Sequence, residues 1–232
     1  MKQSNSFFYY LKNILVTILI VLIFCCCFLS VANLAFVCTH TKERVKGYSM
    51  LPTLNSTVES SDIAGDTIYA NPHAEIALND IVVASPSWHD QLIIKRLVGL
   101  PGDKIQIIDI GETYELYVND NLLYSRNKYR EDGTIDYYGT FLYYQNYISF
   151  LSNENFSSIV KKPENAEPYI ELGDDEYFLM GDNWGYTLDS LRMGPVSRKE
   201  IVSKTCLIVE YGKNITWETT KYILKQIFSF SN

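Results

Sequence analysis

The longest apolar run of the chain lies near its N-terminus, at residues 14–38, and contains no charged side chain. As a helix it would be about 37 Å long at about 1.5 Å per residue, which exceeds a hydrocarbon core of about 30 Å. We therefore predict a transmembrane helix over 14–38. A cleaved signal peptide is the alternative, because Ser30-Val31-Ala32 has the small-x-small form of a cleavage site. The apolar core of such a peptide is only about 7–15 residues long, so the length of the run favours an anchor.

Beyond the anchor, short runs rich in β-branched residues alternate with turn residues such as Asn, Asp, Pro and Gly. This pattern is typical of strands. It predicts strands at 66–70, 80–84, 92–98, 104–108, 115–118, 122–124, 177–180 and 206–211. Few stretches outside the anchor favour a helix, so the fold class is predicted to be mainly β.

Two segments depart from the strand pattern. Residues 125–172 and the end of the preceding strand are rich in tyrosine, which indicates either an accessory subdomain with its own small core or a surface that contacts a substrate or partner. The tail carries apolar side chains at roughly helical spacing between Trp217 and Phe230. It is predicted to be amphipathic, and either packing on the domain or lying in the lipid interface fits that pattern.

Composition and charge narrow the function. The net charge is −7, without a dense basic block in the soluble part, so no nucleic-acid partner is expected. Only Cys206 lies clearly outside the apolar segment, and the three histidines are scattered, so no metal site and no disulfide framework are expected. Lysines and arginine flank the anchor on both sides, and charge alone therefore leaves its orientation open.

Ser49 and Lys95 are the residues with the clearest chemical potential. A serine is a weak nucleophile that needs a base within hydrogen-bond reach. A lysine can be that base only where burial disfavours its ammonium form. Lys95 lies between Ile94 and Leu97 in a predicted strand, where such burial is plausible. Each residue alone also has an ordinary explanation, since mid-strand lysines are usually edge residues.

Four ordered motifs strengthen this pair. They are Gly47-Tyr48-Ser49-Met50-Leu51-Pro52-Thr53-Leu54, Asn79-Asp80-Ile81-Val82-Val83, Lys95-Arg96-Leu97-Val98-Gly99-Leu100-Pro101-Gly102-Asp103, and Tyr177-Phe178-Leu179-Met180-Gly181-Asp182-Asn183 followed by Asp189-Ser190. Together they resemble the boxes of the bacterial type I signal peptidases, over roughly residues 45–105 and 172–210. An endoplasmic-reticulum-type enzyme would resemble this arrangement but carry His at position 95.

The resemblance implies a role for each matching residue. Ser49 would attack the scissile carbonyl, with Lys95 as the general base. The oxyanion would be held by the Ser49 N–H and by position 47, where Gly47 offers only its backbone. Met50 is a candidate lining of the substrate pockets, which the family uses for small side chains.

The motif around Asp189 both matches and departs from the family. Thr187 matches the small hydroxyl residue that hydrogen-bonds the lysine, and Asp189 and Ser190 match the last box. The arginine expected after Asp-Ser is Leu191, and the one expected after Gly-Asp-Asn is Trp184. A buried Asp189 needs a partner, so the resemblance implies a substitute, which Arg192, Arg96 or backbone N–H donors could supply.

The expected organisation follows from these inferences. A cytoplasmic N-terminus (1–13) and the transmembrane helix (14–38) precede a two-sheet antiparallel β catalytic domain (39–108 and 173–212), which is interrupted by an accessory insertion (109–172) and followed by a C-terminal amphipathic tail (213–232). The implied protein is a membrane-bound serine endopeptidase that removes signal peptides from exported preproteins on the extracytoplasmic side of the cell membrane. Its expected partners are preprotein signal peptides and membrane lipid, near the secretion translocon, and no cofactor is expected.

Two other functions remain open. A catalytically weak or silent paralogue that binds signal peptides or a membrane partner would explain Leu191 and Trp184. A self-cleaving repressor-type peptidase also uses a Ser-Lys pair, but that class is soluble and has no anchor.

Overall fold

The computed structural model of the chain describes residues 2–58, 60 and 65–229. The chain forms two compact units, one made of residues 1–41 and 213–232 and the other of residues 42–212. The smaller unit begins with α1 (Lys2–Thr39), which is longer at both ends than the predicted 14–38. From Phe8 to Thr39 the mean hydropathy of α1 reaches 3.2, so the helix is long and apolar enough to cross a membrane.

The larger unit contains two antiparallel sheets, which confirms the predicted mainly β fold. The first sheet has the strand order β1-β2-β11-β3-β4-β10. Its strands are β1 (Thr41–Arg44), β2 (Thr67–Asn71), β3 (Ile81–Ala84), β4 (Ile93–Gly99), β10 (Phe178–Met180) and β11 (Ile201–Val209). Strand β11 pairs with both β2 and β3, so it brings the end of the unit back into the centre of the sheet.

The second sheet has the strand order β7-β6-β5-β9-β8. Its strands are β5 (Lys104–Asp109), β6 (Thr113–Val118), β7 (Asn121–Asn127), β8 (Val160–Lys161) and β9 (Tyr169–Glu171). Most of this sheet therefore comes from the segment expected as the accessory insertion. The turn that leads into it contains Gly102 at φ +81°, a conformation that favours glycine.

Helix α2 (Leu142–Ser152) packs on the second sheet and was not expected from the sequence. Its buried side chains are Tyr143, Tyr147, Phe150 and Leu151. These side chains belong to one core cluster with Val98 of β4 and with Phe178 and Met180 of β10, which are strands of the first sheet. The tyrosine-rich segment and the first sheet are thus joined by a common core.

The chain then continues through the short helix α3 (Ser190–Met193) and β11 to α4 (Ile215–Ser229), which belongs to the smaller unit. Within that unit α4 packs against α1. The Thr219 hydroxyl donates to Asn33 Oδ1 at 2.8 Å, and Asn33 Nδ2 donates to Thr220 Oγ1 at 3.0 Å. The contact with α1 was not predicted from the sequence, and the lipid interface considered for the tail stays a prediction.

Candidate active site

Ser49 lies in a loop after β1 that is fixed from two directions. The backbone N–H of Asn183 donates to the Ser49 carbonyl at 3.0 Å, and the Asn183 side chain donates to the Tyr48 carbonyl at 2.9 Å. On the other side, Asn55 Nδ2 donates to the Gly47 carbonyl at 3.0 Å. The candidate nucleophile therefore sits on a backbone held by amide side chains from separate parts of the chain.

Asn55 is a supporting residue that sequence analysis missed. It is 1% exposed and has φ 61°, a left-handed conformation that asparagine tolerates better than most residues. Its N–H donates to Asp66 Oδ2 at 2.7 Å, and the Asp66 N–H donates back to Asn55 Oδ1 at 2.8 Å. This reciprocal pair ties the Ser49 loop to the start of β2. No pattern in the sequence marks the pairing, since neither Asn55 nor Asp66 belongs to one of the four motifs.

Lys95 is buried in β4 beside the serine. Lys95 is 4% exposed. Its Nζ atom lies 2.8 Å from Ser49 Oγ and 3.2 Å from the Ile94 carbonyl oxygen. Burial lowers the pKa of Lys95 from 10.5 to about 8, although the charges of Asp189 and Asp182 raise it. A substantial fraction of the amine is consequently neutral at mildly alkaline pH, as a general base requires.

Asp189 is completely buried and receives four hydrogen bonds. The donors are the Tyr143 hydroxyl at 2.9 Å, the Gly181 N–H at 2.9 Å, the Thr187 hydroxyl at 3.0 Å and the Leu191 N–H at 3.1 Å. Burial raises the pKa of this carboxyl, while the Gly181 N–H and the Tyr143 hydroxyl lower it. The carboxylate also caps the N-terminus of α3.

No arginine in the described residues pairs with Asp189. Arg96 instead binds Asp182, through Nε at 2.8 Å and Nη2 at 2.6 Å, and Arg192 is exposed. Of the expected substitutes, only the backbone N–H donors are found. Tyr143 is an additional donor that came from the tyrosine-rich segment and was not anticipated.

Thr187 and Ser190 bond to groups other than Lys95. The Thr187 hydroxyl donates to Asp189, and within the described residues it has no hydrogen bond to Lys95. Ser190 Oγ accepts from the Leu179 N–H at 3.0 Å and so ties α3 to β10.

The two departures from the expected motif fill space in the core. Trp184 is 5% exposed and stacks on Tyr143, with ring centroids 4.9 Å apart. The Arg126 guanidinium lies 5.7 Å from the Trp184 ring centroid. Leu191 is 2% exposed and belongs to the same core cluster as Tyr143. These substitutions therefore replace charged groups by packing around the Tyr143–Asp189 hydrogen bond.

A cleft of about 340 Å³ opens beside Ser49 and Lys95. Gly47 and Met50 both line it, together with apolar side chains that include Val45, Val83 and Ile94. Gly47 has φ +81° and no atom within 4 Å of where a Cβ would stand, so this edge of the cleft is open backbone.

Comparisons with known proteins identify the family of the chain. The family model "Signal peptidase, peptidase S26" matches residues 11–210. Signal peptidase I of Streptococcus pneumoniae serotype 4 (strain ATCC BAA-334 / TIGR4) is 28% identical over 190 residues, which are 76% of this chain and 85% of the relative. Signal peptidase I P of Bacillus subtilis subsp. natto is 26% identical over 163 residues, or 68% of this chain and 70% of the relative.

A crystal structure of a signal peptidase I from Enterococcus faecalis V583 aligns with 56% of this chain and 97% of its own, at 22% identity and a TM-score of 0.34. The family match is the broader finding, because it extends over most of the chain and includes all four motifs. The chain therefore belongs to the signal peptidase family, peptidase S26.

Proposed function

We propose that the chain is a membrane-bound serine endopeptidase that removes signal peptides from exported preproteins with a Ser49–Lys95 dyad. Family membership supports the removal of signal peptides. The main support for the dyad is the distance of 2.8 Å between Lys95 Nζ and Ser49 Oγ. Burial also lowers the pKa of this lysine to about 8. A lysine base needs contact with its serine and a neutral form, and these two observations support both.

The proposed reaction proceeds in two stages. Neutral Lys95 accepts the Ser49 proton while Oγ attacks the scissile carbonyl carbon, and the lysine then gives that proton to the leaving amine as the C–N bond breaks. The resulting ester is hydrolysed by a water that Lys95 deprotonates, which restores the Ser49 hydroxyl and releases the carboxyl product. The Ser49 N–H is available for the oxyanion, because no described residue accepts a hydrogen bond from it.

The cleft supports a preference for small side chains next to the cut. Its apolar lining beside Ser49 includes Met50, which is 2% exposed and packs in the core with Leu54 and Val83. A wall built from such fixed side chains leaves little freedom to admit a bulky residue. We propose that Met50 limits the size of the residue bound immediately before the cleavage point.

The N-terminal helix is the proposed anchor. Its apolar stretch Phe8–Thr39 is long enough to span the bilayer. We propose that residues 1–13 are cytoplasmic and that the catalytic unit lies on the extracytoplasmic side, where preproteins emerge from the translocon. Fusion of a periplasm- or surface-restricted reporter to the C-terminus tests this orientation directly.

Cleavage of a preprotein by the purified full-length protein in detergent tests the activity. The wild type should cut after a small-x-small sequence, and Ser49→Ala and Lys95→Met should each reduce the rate by at least about 10³-fold. Cys206→Ser is the matched control and should retain the rate. Activity in the Lys95 variant would refute the base, and an inactive wild type that still binds signal peptides would instead support the silent paralogue.

A further inference from the structure

The C-terminal helix α4 has two apolar faces, and α1 covers only one of them. Thr219 and Ile223 are buried, and the Thr219 hydroxyl donates to Asn33 of α1. Trp217 and Phe228 are 60% and 68% exposed, and Ile227 is 39% exposed. At about 100° per residue, Trp217, Leu224, Ile227 and Phe228 fall within one arc of about 100°. We call these four residues the α4 stripe. Large apolar side chains that are exposed along one arc of a helix indicate a surface that contacts a partner.

The depth at which α4 contacts α1 identifies that surface. Asn33 accepts from the Thr219 hydroxyl at 2.8 Å and donates to Thr220 at 3.0 Å, and Phe36 lies 5.4 Å from the Tyr222 ring. Asn33 and Phe36 both belong to the apolar stretch of α1. Asn33 is six residues before the end of α1, or about 9 Å along the helix axis. Helix α4 is therefore docked on the last turns of the apolar segment.

The neighbouring surface of α1 supports lipid as the occupant. Val31, Leu34 and Val37 lie at the same level as Asn33, and they are 67%, 65% and 48% exposed. Side chains this apolar at the end of a membrane-spanning helix face acyl chains, and a helix packed beside them meets the same environment. The polar side of α4 suits the headgroup region, since Lys221 and Lys225 border the α4 stripe and can extend toward water.

We propose that α4 is a second membrane element, which lies in the outer layer of the bilayer with the α4 stripe against lipid and is fastened to α1 by Asn33. Its 15 residues would be about 22 Å long, too short to cross a hydrocarbon core of about 30 Å, so it lies within one leaflet. The Asn33 amide in an apolar segment is stabilised by the two threonine hydroxyls. This inference rests on the proposed anchoring of α1.

Depth-dependent quenching of Trp217 tests the proposal in the full-length protein. The protein is reconstituted in phosphatidylcholine–phosphatidylglycerol vesicles whose acyl chains carry bromine near the headgroup or near the methyl end. The emission that Trp217→Phe removes should be quenched by bromine, more strongly at the shallow position. A Lys225→Trp reporter in the Trp217→Phe background is the matched control, because position 225 lies on the polar side and should be quenched by aqueous iodide instead.

Two further outcomes decide the role of Asn33 and separate this inference from the proposed function. Asn33→Leu should make tryptic cleavage within α4 faster by about three- to fifteen-fold in freeze–thawed proteoliposomes, as should Thr219→Val with Thr220→Val. Ser30→Ala should not, because the Ser30 hydroxyl donates to the Cys26 carbonyl within α1. Equal iodide quenching of Trp217 and the Lys225→Trp reporter would overturn the proposal. If alkaline carbonate extracts the wild type from membranes, the proposed anchoring by α1 is wrong. If the protein resists extraction but Trp217 is in water, the anchoring stands and only the proposed role of α4 is wrong.

Discussion

Replacing Tyr143 by phenylalanine removes one hydrogen bond from the carboxylate behind the candidate dyad and leaves the packing in place. The Tyr143 hydroxyl donates to Asp189 Oδ2 at 2.9 Å, and both residues are buried. The phenylalanine ring can keep the stack on Trp184, whose centroid is 4.9 Å away. The variant therefore isolates the contribution of a hydroxyl from the tyrosine-rich segment to the site.

The expected cost is that of a hydrogen bond to a charged group, about 1.5–3 kcal/mol of the free energy of unfolding. For a chain of this size each kcal/mol lowers Tm by about 2–4 °C. The electrostatic effect has a definite sign. The Tyr143 hydroxyl lowers the pKa of Asp189, and the charge of Asp189 raises the pKa of Lys95. Without the hydroxyl Asp189 is more easily protonated, and its protonation removes a charge that raises the pKa of Lys95. We therefore expect the change in the pKa of Lys95 to be downward.

Thermal unfolding in detergent and the pH dependence of kcat/KM measure the two effects separately. Tyr143→Phe should lower Tm and move the acid limb of the kcat/KM profile to lower pH. Tyr147→Phe is the matched control, because its hydroxyl donates to the Pro168 carbonyl at 3.1 Å from the same helix without touching Asp189. Tyr147→Phe should lower Tm by the smaller amount that corresponds to the loss of a neutral hydrogen bond. It should leave the acid limb of the kcat/KM profile at the same pH. Equal Tm losses with an unmoved limb in both variants would refute the coupling.

Three further predictions concern the dyad, its loop and the stability of the larger unit. The proposed base Lys95 must be a neutral amine to accept a proton, and its pKa is about 8, so kcat/KM should rise about tenfold per pH unit below that value and level off above it; a flat profile between pH 6 and 9 would contradict this. Gly181→Ala should abolish activity, since its Cβ would stand 2.6 Å from the Ser49 carbonyl oxygen, whereas Gly173→Ala, which meets only a flexible side chain, should not. Burial raises the pKa of Glu200, but hydrogen bonds from serine N–H and hydroxyl groups outweigh it and hold the pKa at about 2, below the ordinary 4.5. Its stabilisation is thus complete above pH 4.5 and lost as pH falls toward 2, so Glu200→Gln should lower Tm at pH 7 and have little effect near pH 2, as thermal scans across this range will show.

The sequence was sufficient for the strands that carry the candidate chemistry. β3 and β4 were each located to within one residue, because apolar β-branched runs end there at Asn, Asp, Pro or Gly. β11 was predicted at 206–211 and is found at Ile201–Val209. Its first half contains Ser203, Lys204 and Thr205, whose polarity hid a strand that pairs on both edges with β2 and β3.

Helix α2 was missed although a pattern for it exists. Its buried residues 143, 147, 150 and 151 follow the i, i+4, i+7, i+8 spacing of an amphipathic helix. Two of them are tyrosines of the segment 125–172, which was predicted to form either an accessory subdomain with its own small core or a contact surface. Burial of Tyr147 raises the pKa of its hydroxyl well above the ordinary value, and the hydroxyl is satisfied by a backbone carbonyl. A tyrosine with such a partner behaves as a core residue, and only the tertiary structure reveals the partner.

For Asp189, the sequence predicts that replacement hydrogen-bond donors are present but does not identify all of the residues that supply them. The missing arginine required replacement donors, because an unpaired buried carboxylate is costly. The N–H groups of Gly181 and Leu191 are local and were foreseeable, whereas Tyr143 is 46 residues away in the chain. Neutral donors satisfy the oxygens of Asp189 without neutralising its charge. The charge of Asp189 raises the pKa of Lys95. Tyr143 stabilises that charge, so in this chain it also helps to set the pH at which the proposed base is neutral.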